Sequence, residues 1–129
     1  MAGKPHWKEQ PDDHDYPAAE SYLSLLLTPP EAARLAKGLR RAKIQHFKAK
    51  DLLRASRLPI LEAGNVHVAG DLAKVKKGQM LSPVLLVRGR LGADVPLTVA
   101  DGYHRICASH HVDENADIPC RIVDAGTRS

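Results

Sequence analysis

The run Asp101-Gly102-Tyr103-His104-Arg105 sets an acid, a residue without a Cβ, a phenol, a titratable imidazole and a fixed guanidinium side by side. Apolar residues lead into it from Leu97 to Ala100 and continue after it at Ile106, Cys107 and Ala108. That pattern predicts a strand that stops at Asp101 and turns through Gly102 directly into a helix. Such a turn exposes the first unpaired N–H groups of the helix at the strand's carboxyl end, where the helix dipole is positive, and so makes an anion site. Gly102 lets a ligand approach the backbone closely. His104 and Arg105 add a switchable donor and a planar fork suited to phosphate oxygens. Asp101 can act as the N-cap, or it can coordinate a metal that accompanies the phosphate. The same residues also fit a plain capped helix carrying surface His and Arg, because Asp-Gly opens many turns with only a capping role.

Other reactive residues point to structure. His110 and His111 are adjacent on a helix and project about 100° apart, so they suit the helix C-terminus and its dipole better than a metal. His46 belongs to the alternating Ile44 to Phe47 strand and reads as an edge residue. Cys107, between Ile106 and Ala108, is expected to be buried and inert, and with Cys120 it fits no metal-ligand spacing and no disulfide framework. Asp113, Glu114, Asn115 and Asp117 resemble a Ca²⁺ loop only in acidity, because the glycine and the terminal glutamate are missing.

The elements that must position the turn can be read from caps and periodicity. A helix is expected from Ala18 to Leu27, and Thr28 with Glu31 makes a capping box for a second helix that starts on Pro29 and Pro30. Leu35 and Leu39 mark its buried side. Ile44 to Phe47 reads as a strand, Lys50 to Ala55 as a helical turn, and Leu58 to Leu61 as a connector. After Gly64-Asn65 a helix with Val68, Leu72 and Val75 runs to Gly78, and its flank carries His67 and Lys74. Pro83 to Val87 is apolar throughout, as a strand covered on both faces would be, with Leu97 to Ala100 as its neighbour. Ile118 to Val123 closes the chain. Residues 1–17, rich in proline and acids, read as a flexible arm or strap with little chemistry, 18–125 as one domain and 126–129 as a tail.

A chain of 129 residues fits one domain, and with 4% aromatics its core must be aliphatic. The formal charge is +4, but acids cluster in the first twenty residues, while residues 34–90 set many lysines and arginines against only Asp51, Glu62 and Asp71. That middle segment favours anionic ligands, whether nucleotides or the DNA backbone. The start lacks a signal-peptide apolar region and no apolar run nears the ~18 residues of a membrane span, so a cytoplasmic chain without a membrane partner is expected.

From Ile44 to Val123 the chain resembles the ParB/sulfiredoxin superfamily, on the leading Pro83-Val84-Leu85-Leu86-Val87 strand, the Gly102-Tyr103-His104-Arg105 turn and the closing Ile118-Pro119-Cys120-Arg121-Ile122-Val123 strand. The resemblance implies an α/β fold with a small mixed sheet flanked by helices. It also implies that the turn holds nucleotide phosphates, with Mg²⁺ accompanying a triphosphate, and ATP, ADP or CTP as the nucleotide. Members include CTP-hydrolysing chromosome-segregation clamps, sulfiredoxins and ADP-dependent free-serine kinases. Tyr103 stands where sulfiredoxins carry their nucleophilic cysteine and where the clamps carry a glutamate, which argues against both activities. The kinases' Asp-Gly-His-His-Arg is matched at all but one position, so the resemblance implies phosphoryl hydrolysis or transfer, with Asp101, His104 and Arg105 as catalytic residues. By the same alignment His67 and Lys74 belong to the rim of the nucleotide site, and Arg54 belongs to the basic element before the first binding-site helix. The alternative is a non-catalytic DNA-associated or protein-interaction domain.

Overall fold

The computed structural model describes residues 3–126. Thr28 starts its most firmly capped helix: the Thr28 hydroxyl accepts from the Glu31 N–H, and the Glu31 carboxylate accepts from the Thr28 N–H at 3.0 Å. This helix, α2 (Pro29–Arg41), buries Ala32, Leu35, Ala36 and Leu39 on one side, as its i, i+3, i+4, i+7 spacing dictates. The helix before it, α1, spans Asp15–Leu23. It starts three residues earlier than the sequence suggests and stops before Leu25 and Leu26, which are exposed. The buried set Tyr16, Ala19 and Leu23 follows helical spacing, whereas Leu25 and Leu26 fall in a turn, so the dense apolar run from Leu23 to Leu27 misleads about where the helix ends.

The remaining elements are β1 (His6–Trp7), β2 (Ile44–Lys48), α3 (Ala49–Ser56), α4 (Val66–Lys76), β3 (Met80–Leu81), β4 (Val84–Val87), β5 (Thr98–Asp101), α5 (Tyr103–Val112) and β6 (Asp117–Val123). Asn65 caps α4, its side chain accepting from the N–H groups of His67 and Val68. Gly78 ends the turn after α4 at φ 74°. The described residues thus form a mixed α/β fold with five α-helices and two sheets.

The main sheet has the order β2-β6-β4-β5, with β4 parallel to β6 and the outer pairs antiparallel. Helices cover both faces. Leu85 and Val87 of β4 pack with α1 and α2, while Val84 and Leu86 pack with residues of α3, α4 and α5. All four β4 side chains are therefore buried, which is why this strand is apolar without alternation.

Of the two readings of segment 1–17, arm or strap, the described part follows the strap, because His6 and Trp7 pair in parallel with Met80 and Leu81. The residues from Asp15 onward belong to α1. Of the expected tail, residues 127–129 lie outside the described residues.

Candidate functional site

The site begins where β5 ends. Asp101 is the last residue of the strand, Gly102 takes φ 111° at the N-cap, and α5 starts at Tyr103 with no side chain capping it. Gly102 is dictated twice over: its φ suits a residue without a Cβ, and an added Cβ would run into the Val84 side chain. Asp101, one of whose expected roles is the N-cap, does not cap the helix. Its carboxylate instead accepts from Arg105 Nη2 at 2.8 Å, one turn along α5. The first-turn N–H groups of α5 are thereby left to a ligand or water.

A cavity of about 180 Å³ opens at this helix start, lined by His67, Asp71, Asp101, Gly102, His104 and Arg105. The i, i+4 spacing of α4 puts His67 and Asp71 on one face, towards α5. The His67 and His104 rings lie 4.7 Å apart, centroid to centroid, tilted by 47°. Burial, then the nearby His67, pushes the His104 imidazole below its ordinary value, with Asp71 opposing. Burial pushes the Asp71 and Asp101 carboxyls up, against the pull of Lys74 on Asp71 and of Arg105 on Asp101.

Behind the cavity, Arg105 meets a second carboxylate. Its Nη2 lies 3.8 Å from Asp15 Oδ2 and 3.4 Å from the Pro83 carbonyl oxygen, to which it donates. Asp15 is only 3% exposed and accepts from the Ser82 hydroxyl at 2.7 Å and from the Asp12 N–H at 3.1 Å. His14 Nε2 lies 3.4 Å from the other Asp15 oxygen, so the side chains of Asp12, His14 and Asp15 gather into one cluster. The positive charge of Arg105 is therefore met from within by Asp101 and Asp15. The guanidinium orients the turn, and the helix N–H groups and the two imidazoles face the cavity.

Asp15 is the residue missed in the sequence. Its signal was the spacing of Asp15 and Tyr16 with Ala19 and Leu23, which marks a helix reaching back into the acidic, proline-containing segment.

The other expected residues fall in different places. Tyr103 contributes its backbone to the helix start, but its hydroxyl donates to the Pro59 carbonyl at 2.5 Å and its ring packs on the core. Lys74 is exposed on α4, beyond Asp71, and is not among the lining residues. Arg54 lies on α3 beside a different cavity and pairs with Asp51 at 3.6 Å, so it is not brought to the α5 start. His111 binds the Leu61 carbonyl oxygen at 2.7 Å, and the Leu61 N–H donates to Cys107 Sγ at 3.5 Å. These contacts, with Tyr103, stitch α5 to the 58–61 connector. His46 is exposed on β2 opposite Pro119. Cys107 and Cys120 are buried free thiols, both pushed up by burial, Cys120 to about 12. Among the described residues no helix is long and apolar enough to cross a membrane.

Comparison with protein-family models, with curated proteins and with solved structures gives no match.

Proposed function

We propose that this chain binds the phosphate groups of a nucleotide at the start of α5, in a fold of the ParB/sulfiredoxin type. The observation that carries the reading is the uncapped N-terminus of α5 opening on a cavity that holds His67 and His104. Helix N–H groups and imidazoles are both donors to phosphate oxygens, and both face this cavity. Arg105 serves the site by fixing Asp101 and the turn rather than by clamping the ligand with its whole charge.

Mg²⁺ bound with a triphosphate takes one or two carboxylates beside the phosphate oxygens. Asp71 fits that demand, because it lines the cavity as an oxygen donor on a rigid helix, whereas Asp101 is already engaged by Arg105. The metal would supply charge neutralisation of the phosphates. In a phosphoryl step His104 stabilises charge on the transferring group.

The test is thermal unfolding with ADP, ATP, CTP and GTP, each with Mg²⁺, on the unaltered chain and on His104→Ala. A nucleotide at a hundred times its dissociation constant adds about 2.7 kcal/mol. A nucleotide-specific rise in Tm that His104→Ala removes is the expected result. Absence of any rise overturns the reading. Binding to duplex DNA that falls steeply with salt would then favour the backbone-contact alternative.

A further inference from the structure

A second and larger cavity lies elsewhere. About 480 Å³ opens between α3, the β4 and β6 strands and the loop that precedes β5, and it shares no lining residue with the cavity at α5. Its floor is apolar, with Phe47, Leu52, Leu86, Leu97 and Ile122. Its rim carries Arg54, Arg57 and Arg88. A concave apolar space of this size with a few convergent polar groups is what small-molecule sites look like.

The rim already holds a carboxylate of the protein's own. Arg57 Nη2 donates to Asp94 Oδ1 at 2.5 Å, and Asp94 follows the short 3-10 turn Leu91–Ala93 at the lip. Arg57 at φ 60° and Asp94 at φ 57° are the two non-glycine residues with positive φ among the described residues. Both partners of the pair are exposed, 55% for Arg57 and 85% for Asp94, and so are Arg88 and its partner Asp124. Exposed pairs of this kind hold weakly and exchange readily for another carboxylate. Beside them Leu91, which lines the cavity edge, is 94% exposed and offers apolar surface to anything that enters.

From this geometry we infer that the cavity binds a small hydrophobic carboxylate, whose apolar body lies on Phe47, Leu97 and Ile122 and whose carboxylate displaces Asp94 from Arg57. The guanidinium of Arg57 donates to a ligand carboxylate in the way it donates to that of Asp94. Displacement frees the 91–95 loop to fold its apolar residues onto the ligand. Asp94 is then an internal competitor, and its removal strengthens binding.

The experiment is a titration of the ¹⁵N-labelled chain with decanoate, below its micelle concentration, and with 1-decanol, followed by amide shifts that also report the fold of each variant. Decanoate is expected to move the amides of Gly89, Leu91 and Leu97, with decanol binding at least several-fold more weakly. Asp94→Asn is expected to tighten decanoate severalfold, Arg57→Gln to weaken it about fivefold, and Ala55→Trp, which fills the mouth from the exposed side of α3, to abolish it. The inference is overturned if decanoate moves none of these amides. It is equally overturned if decanol binds as well, if Ala55→Trp binds unchanged, or if Asp94→Asn weakens binding.

Discussion

Arg105 on the last helix lies 3.8 Å from Asp15 on the first, and the same guanidinium nitrogen donates to Asp101 at 2.8 Å. One cation thus holds two largely buried carboxylates, Asp15 with its side chain 4% exposed and Asp101 at 20%. Loss of one partner from such an arrangement leaves uncompensated charge, at a cost of about 3 kcal/mol. Arg105→Ala is therefore expected to shift the urea midpoint sharply downward. The double variant Arg105→Ala with Asp101→Asn recovers part of the loss, because only one carboxylate is then left without its cation. Equal stability of the single and double variants would show that Asp101 does not depend on Arg105.

Gly102 and Gly78 both have positive φ, yet they differ in surroundings. A Cβ at Gly78 meets nothing within 4 Å, whereas one at Gly102 meets the Val84 side chain and Arg105. Gly78→Ala carries only the backbone term, about 1 kcal/mol. Gly102→Ala adds overpacking against β4 to the backbone strain, roughly 3 kcal/mol together. Urea unfolding of the two variants checks the difference, and similar losses would mean that the β5–α5 turn relaxes away from Val84.

The β5–Gly102–α5 turn, the Thr28 capping box and the β4–β5 pairing were legible in the sequence because each rests on local chemistry: a glycine, a cap, a run of apolar residues. So was the succession of strand and helix patterns that makes the class α/β. What was not legible depends on packing between distant segments. Asp15 reads locally as one more acid in a polar stretch, and only the docking of α1 beside β5 makes it a buried partner of Arg105. Arg54 and His67 look alike as polar residues on helix faces, but α3 and α4 lead them to different cavities. The role of Asp101 turned on a competition, N-cap against Arg105, that residue types alone leave open.

Cys107 is fully buried on α5 and its thiol is pushed up by burial, with Cys120 pushed up to about 12. Only thiolates react readily, so neither residue is expected to react with a thiol-specific disulfide reagent in the folded chain. Both should become reactive together across the unfolding transition. Rapid labelling of Cys107 under native conditions would show that α5 opens locally.

His104 gives the site a pH dependence with a definite sign. Its folded value is depressed below 6.5, chiefly by burial and then by His67, so between that folded value and 6.5 the folded chain binds fewer protons than the unfolded one. The imidazole therefore contributes stability that is fully present above pH 6.5 and is lost as pH falls through the folded value. Asp71 and Asp101, both raised by burial, contribute the opposite slope, since stability is lost as pH rises from 3.8 through their folded values. Subtracting the stability curve of His104→Gln from that of the unaltered chain isolates the imidazole, and the difference is expected to fall below pH 6.5. Bound phosphate reverses the balance, because an anion beside His104 favours the imidazolium. Nucleotide affinity should accordingly tighten as pH falls through the same window, and His104→Gln should flatten it. Affinity that is independent of pH in both proteins would remove His104 from the ligand and leave the helix N–H groups alone at the phosphates.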